Sequence, residues 1–282
     1  MLAIFKHSLN KSWGAIFGWG LTLALLGIIA PPFYESMAQN SASLSELLEA
    51  YPPEFLDFFG GASMNTPEGY LSLQFFSSLP LFMGIYAVLA GSGMLRADEQ
   101  RGVLDLVAAH PVGRSALYWG RVAGMVLGMA LVVALGYLSL LAATSYYNMG
   151  LDAGELLVPF FSLLVQLSFF AGFSLFLSML LPSRQAAAMI AGALLVISFF
   201  LGGLANIDEG LQSVNKLLPL AYYQGTDWVD GLKLNWALGV IAVDSLFTLA
   251  AWQLFLRRDI RLGGEDNWQL PGLGKLLRRK GA

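Results

Sequence analysis

The apolar positions of this chain are gathered into runs rather than spread through it, and six of the runs are long enough to cross a bilayer. They lie at about 13–33, 70–95, 121–144, 156–181, 186–205 and 236–256. A hydrocarbon core of about 30 Å is crossed by roughly 20 helical residues, so each run predicts one membrane-spanning helix. Between the fourth and fifth runs, Pro182-Ser183-Arg184-Gln185 has room only for a tight helical hairpin: Pro182 ends one ladder and Arg184 holds the turn at the water boundary. Ahead of the first run, Leu2, Phe5 and Leu9 fall near one helical face and Lys6 and His7 on another. That pattern fits a short amphipathic helix over 2–11 lying in the membrane interface, or a frayed start to the first span.

The connections have patterns of their own. Ser43-Leu44-Ser45-Glu46 has capping-box spacing, and Leu44, Leu47, Leu48 and Tyr51 follow at helical intervals until Pro52-Pro53. Phe55, Phe58 and Phe59 make a second apolar cluster, so the long 34–69 loop predicts short helices on the outer membrane surface or over the mouth of a cavity. The 206–235 connection is also long and semi-apolar, and its Tyr222, Tyr223, Trp228 and Trp236 are aromatic residues of the kind found at a headgroup boundary. A re-entrant or surface helix suits it better than a soluble loop, provided that its broken backbone is buried in protein or lines water.

Composition settles the class. Of 282 residues, 56% are hydrophobic and 12% charged, against about a quarter charged in a soluble chain. The fold class is therefore an all-α polytopic membrane protein of six transmembrane helices, with one domain over 1–262 and a basic tail over 263–282. Cysteine is absent, which removes disulfides and thiolate chemistry, and His7 and His110 are far apart, which disfavours a histidine metal site. Charge gives the orientation. Fourteen of the 16 basic residues fall on the side of the two termini, and 12 of the 19 acidic residues fall on the other. By the positive-inside rule both termini are cytoplasmic. Ser36-Met37-Ala38 resembles a cleavage site, but the apolar stretch before it is of span length, longer than the roughly 7–15 residues of a signal core. The tail's Lys275-Leu276-Leu277-Arg278-Arg279-Lys280 is either attracted to anionic lipid or merely solvated.

The cytoplasmic connection between the second and third spans carries the most specific pattern, A-D-E-Q-R-G-V-L-D-L-V-A-A-H-P-V-G-R from Ala97 to Arg114. Asp98 can cap a short helix over about 98–110, and Glu99 favours its positive end. Val103, Leu104, Leu106 and Val107 supply an apolar face, and the helix breaks before Pro111. A short amphipathic helix held off the bilayer between two spans is suited to docking on a cytosolic partner.

This run resembles the E-x-R-G-T-L-x-L-L…P-V-S-R…G-K signature of ABC-2 type permeases, the membrane subunits of type-2 ATP-binding-cassette transporters. Glu99, Arg101, Gly102, Leu104, Leu106, Pro111, Val112, Arg114 and Gly120 match; Val103, Gly113 and Arg121 stand where threonine, serine and lysine are usual. The resemblance implies that the helix over 98–110 is a coupling helix fitting a groove on an ATPase subunit, with Asp98, Glu99, Arg101, Gly102, Leu104, Leu106, Pro111 and Arg114 at or beside that contact. It also implies two ATPase copies that carry ATP and Mg, and a second permease chain, identical or homologous, across a central pathway. Export across a bacterial or archaeal cytoplasmic membrane is implied as well. This chain has no G-x-x-x-x-G-K-[ST] and no hydrolase motif, so it is expected to be non-enzymatic and without a cofactor of its own. Its expected partners are protein and membrane lipid, not nucleic acid.

Within the spans, Asp244 is the one acidic residue far from a span end, and an intramembrane carboxylate is a functional candidate by default. Ser245 and Thr248 are its possible local hydrogen-bond partners. Gln74, Phe75 and Ser78 are candidates for a substrate pathway beside Pro80, which frees a carbonyl and permits a kink; Gln166 in the fourth span is similar. Ala188 and Gly192 form a small-xxx-small face, which suits either the dimer interface that the resemblance implies or packing within the chain. Two alternatives to the permease stay open: a proton-coupled secondary transporter using Asp244, and a non-transporting membrane anchor or immunity protein. The ten methionines, such as Met37, Met64, Met125 and Met179, show no ligand spacing that would identify copper as cargo.

Overall fold

The computed structural model describes residues 2–39, 52–59, 66–95 and 113–257. Among them there is no strand, and six helices are long and apolar enough to cross a membrane. The helices are α1 (Leu2–Gln39), α2 (Pro53–Phe58), α3 (Pro67–Leu71), α4 (Leu79–Gly93), α5 (Arg114–Tyr146), α6 (Ala153–Leu180), α7 (Arg184–Ile207), α8 (Gln212–Asn215) and α9 (Leu234–Arg257). The expected coupling helix over 98–110, the helix expected after Ser43 and the basic tail lie outside the described residues.

Two expectations about the spans change. Residues 2–11 are not a separate interfacial helix; they are the first turns of α1, which runs unbroken to Gln39. The second span is not one continuous helix. It begins at Pro67 as α3, widens into a π-helical turn at Ser72–Phe76 and restarts at α4. Pro80 is the cause: it has no N–H for the Phe76 carbonyl four residues earlier. The wider turn is visible in the Ser77 N–H, which donates to Ser72 O at 2.9 Å, five residues back.

α6 is the hub and the most deeply buried span; α4, α9, α5 and α7 pack on it. Small residues allow the closest approaches. At Gly91 a Cβ would fall 2.1 Å from the Ala171 carbonyl oxygen, so α4 and α6 meet backbone to backbone. One turn away, the buried Ser174 Oγ donates to Val88 O at 2.8 Å. α1 lies outside α5 and runs parallel to it. Gly124, Gly128 and Gly136 of α5 receive Ser8, Ile16 and Leu23 of α1 in register.

At the α6–α7 hairpin, α6 ends at Leu180 and the Ser183 hydroxyl caps α7 by accepting the Ala186 N–H at 3.1 Å. α7 then turns Ala187, Ala191, Leu195 and Ser198 inward. Gly192 has no neighbour within 4 Å of a Cβ built on it.

These contacts predict opposite outcomes for two glycines. Gly91→Ala forces a methyl into a backbone carbonyl and is expected to cost about 1–3 kcal/mol, read as a lower unfolding temperature in detergent. Gly192→Ala meets open space and should not lower that temperature. Equal temperatures for Gly91→Ala and the unaltered chain would remove the backbone contact as the constraint on α4.

Candidate functional site

The end of the bundle that holds Leu2 and Arg257 frames the connection between the second and third spans. On its entry side, Arg121 of α5 is buried and its Nη1 donates to Met94 O at 2.9 Å, at the C-terminal end of α4. On its exit side, Arg114 Nη1 donates to Leu256 O at 3.4 Å, in the last turn of α9. Cations at helix C-termini satisfy exposed carbonyls and the negative end of the helix dipole.

The third span, placed by its apolar run at about 121–144, lies within a longer helix: α5 starts at Arg114, two turns before Arg121. The helix begins after Gly113, which supplies no capping side chain. Around the arginines, Leu95, Leu117, Tyr118, Leu175, Met179 and Phe255 form a buried cluster joining α4's end to α5, α6 and α9. Tyr118 Oη donates to Thr248 O at 2.6 Å, and Trp252 Nε1 donates to Ser115 Oγ at 3.3 Å, so the start of α5 is tied to α9. Of the expected coupling residues, Arg114 is the one within the described chain; Asp98, Glu99, Arg101, Gly102, Leu104, Leu106 and Pro111 lie outside it.

At the opposite end, residues 208–233 fold into short turns plugged into the spans. Trp228, read from the sequence as a boundary aromatic, is 0% exposed and enclosed by protein, and its Nε1 donates to Ser72 Oγ at 2.8 Å. Ser72 Oγ in turn donates to Thr226 O at 3.1 Å. The buried Gln224 donates its backbone N–H to Ser162 Oγ at 2.9 Å, and its side chain bridges the backbone N–H and carbonyl of Lys233 at 2.6 and 3.2 Å. Gln166 Nε2 donates to Pro219 O at 2.9 Å. The Tyr223 hydroxyl donates to Phe76 O at 3.2 Å, the carbonyl that Pro80 leaves without a helical donor. Burial pushes the Tyr223 phenol well above its ordinary range. Each of these bonds satisfies a polar group that an irregular backbone packed into the bundle would otherwise leave unpaired.

Two cavities open beside this plug. One of about 200 Å³ lies between Phe58 and Phe59, the kink at Ser77 and Pro80, and α7 at Ser198 and Gly202. Phe58 reaches it by seating its ring on Gly203, and α2 is held there by Asn206 Nδ2 donating to Phe58 O at 3.4 Å. The other, about 450 Å³ and mostly apolar, is walled by Phe169, Phe173, Leu217, Tyr222, Trp236 and Phe247 between α6, α7 and α9.

The structure does not gather Gln74, Phe75, Ser78 and Asp244 around one cavity. Gln74 is exposed, while Phe75 turns into the core against Phe76 and Phe160, with ring centroids 5.0 and 6.2 Å away. Ser78 is half-buried at the restart of α4. Asp244 lies against Gly172 of α6, where a Cβ would come 2.0 Å from its Oδ1, and accepts a long hydrogen bond from Thr248 Oγ1 at 3.4 Å. Ser245, the other expected partner, donates instead to Ile241 O at 2.7 Å. Ala188 packs partly on the core, whereas Gly192 faces outward. Sequence reasoning missed Ser72, Ser162, Gly172 and Gln224. Single small or polar residues in an apolar run carry no signal until a partner from a distant segment is placed beside them.

A family model described as ABC-2 family transporter protein matches residues 2–254. No curated protein matches the chain.

Two predictions follow from this geometry. Trp228→Phe removes the indole donor and should cost about 1 kcal/mol, whereas Trp228→Ala empties a buried site and should cost about 3–5 kcal/mol; denaturation in detergent reads both. Asp244→Asn keeps an acceptor for Thr248 and the fit against Gly172, so its unfolding temperature should match the parent's, while Gly172→Leu should lower it by several degrees. An equal drop in both would mean that charge, not shape, seats α9 on α6.

Proposed function

The chain belongs to the ABC-2 family of transporter membrane proteins, and on that premise we propose that it is the permease of an ATP-driven exporter, moved by a separate ATPase through its 96–112 connection. Membership makes it a membrane-spanning, non-catalytic component of an ABC transporter, with an ATPase partner and dimeric assembly general to such permeases. The finer reading places two ATPase copies on the side of the termini, in the cytoplasm, with ATP and Mg held by them. The cargo path lies between this permease and a second chain.

One observation carries the coupling. The connection is pinned at both ends, by Arg121 on Met94 O and by Arg114 on Leu256 O, and the pins sit on one buried cluster shared by four spans. A push on the segment over 98–110, with Glu99 and Arg101 as its polar contacts, would reach α4, α5 and α9 through that packed cluster. Pairing is supported by α7, whose outward face carries Gly192 with open space above it and the exposed Met189, Val196 and Phe200. Asp244 is read here as a wedge that seats α9 on α6, its carboxylate packed on Gly172 and accepting from Thr248.

Affinity purification of the tagged chain from its native membrane, in mild detergent, tests the proposal. A Walker-type ATPase should co-elute in stoichiometric amount and be lost with Glu99→Ala/Arg101→Ala, while the permease itself remains folded. A chain that elutes without an ATPase, or a double variant that keeps one, would overturn the coupling assignment.

A further inference from the structure

The cavity of about 200 Å³ beside the 208–233 plug has polar walls whose hydrogen-bonding capacity is one-sided. Ser77 Oγ donates to Leu73 O, Ser198 Oγ to Leu194 O at 2.6 Å and Tyr223 Oη to Phe76 O at 3.2 Å. A hydroxyl has one proton, so these three have only lone pairs left to offer. Asn215 Oδ1 is buried and accepts no hydrogen bond. It lies 3.7 Å from where a Cβ on Gly202 would stand, one turn along α7 from Ser198. A buried acceptor without a donor calls for a partner.

The apolar wall is aromatic. Phe58 meets Phe59 edge-on with ring centroids 5.1 Å apart and Phe199 at 6.2 Å, and Trp236 stands on another side. Aromatic faces attract cations, and Lys233 Nζ already lies 4.8 Å from the Trp236 centroid. Lys233 is also 3.8 Å from Asp227 Oδ2, so that pair brings no net charge to the rim. No basic side chain among the described residues lines the cavity. The two segments that border it, 53–58 and 208–233, carry six acidic side chains against Lys216 and Lys233. Their field draws cations to this end of the bundle and disfavours anions.

Size narrows the ligand further. Pockets for drug-sized molecules run to about 300–1,000 Å³, and this cavity is smaller. Unpaired acceptors select N–H or O–H groups, aromatic faces select a cation, and the volume selects a small one. An ammonium on a short alkyl chain supplies all three: three N–H donors on a compact charge, and a stem that packs on rings. Water would use the acceptors and neither the rings nor the field. A quaternary ammonium would use the rings and the field but has no N–H for Asn215.

We propose that the cavity between α2, α4, α7 and the 208–233 plug binds a small primary alkylammonium ion. Its N–H groups meet Asn215 Oδ1 and the lone pairs of the neighbouring hydroxyls, and its alkyl stem lies against Phe58 and Phe199. The site stands on this chain's own residues and is independent of any coupling to an ATPase.

The test follows the unfolding temperature of the purified full-length chain in a neutral detergent at about pH 7, where an alkylamine is protonated as lysine is. At constant ionic strength, n-butylammonium, tetramethylammonium or n-butanol is titrated in. n-Butylammonium should raise the temperature saturably, and the other two should not at equal concentration. Asn215→Leu removes the acceptor at similar volume. It should not lower the ligand-free temperature, because no bond within the chain is lost, and it should weaken the n-butylammonium affinity about tenfold or more. Asn215→Asp keeps an acceptor, adds a charge and should tighten binding. No response to n-butylammonium would overturn the proposal. An equal tetramethylammonium response would show that N–H groups are not read, and an equal n-butanol response that charge is not; either overturns it as well. Unchanged affinity in Asn215→Leu would remove Asn215 from the site. If that variant fails to fold, Asn215→Asp decides, and an affinity no tighter than the parent's sinks the assignment.

Discussion

The carbonyl oxygen of Ala171 occupies the space in which a side chain at position 91 would stand, and the bundle is arranged around that contact between α4 and α6. In lipid there is no hydrophobic force to draw helices together, so packing depends on how closely backbones can approach. Gly91 permits the closest approach, and Ser174 adds a hydrogen bond to Val88 O beside it. With α4 seated, α6 presents Gly172 on another face for Asp244 of α9 and meets α5 and α7 along its remaining length. α6 thereby becomes the one span surrounded by protein, while α1, α7 and α9 keep broad apolar faces outward.

The half of the molecule around residues 208–233 follows from a second constraint, the carbonyl that Pro80 strands. A kinked span at membrane depth is tolerated only where something supplies the lost donors. Tyr223 supplies one to Phe76 O, and the indole of Trp228 and the hydroxyl of Ser72 tie the neighbouring π-helical turn to the same loop. The loop is equally dependent on the spans, because Gln166 and Ser162 of α6 satisfy its Pro219 carbonyl and Gln224 N–H. Kink and plug are two halves of one hydrogen-bonded unit, and the cavities lie at its edges, where that unit meets α2, α7 and α9.

The half that holds Leu2 and Arg257 is organised by arginines at helix ends. Arg121 and Arg184 both sit at the end of α4, and Arg114 reaches the end of α9. Where the end beside Trp228 uses neutral hydrogen bonds to close a plug, the end beside Leu2 and Arg257 uses cations on helix C-terminal carbonyls.

Much of this was written in the chain order. Six runs of apolar residues predict six spans because every backbone group in a bilayer must be bonded within its own helix, so length and hydropathy suffice. The run from Glu99 to Arg114 marks the family because it is contiguous, and Pro80 announces its kink because its chemistry is local. The rest depended on partners far apart in sequence. Gly124 and Gly128 have the same spacing as Ala188 and Gly192, yet the first pair receives α1 while Ala188 packs partly on the core and Gly192 meets open space, since spacing defines a face and not what covers it. Trp228 reads as a boundary aromatic until Ser72, 156 residues away, is placed against its indole. Asp244 reads as a lone charge until Gly172 provides its notch. Sequence by itself determined the class, the spans and the family, all properties of contiguous residues in a defined solvent; tertiary structure alone decided which small and polar residues face one another, because that depends on how helices are set side by side.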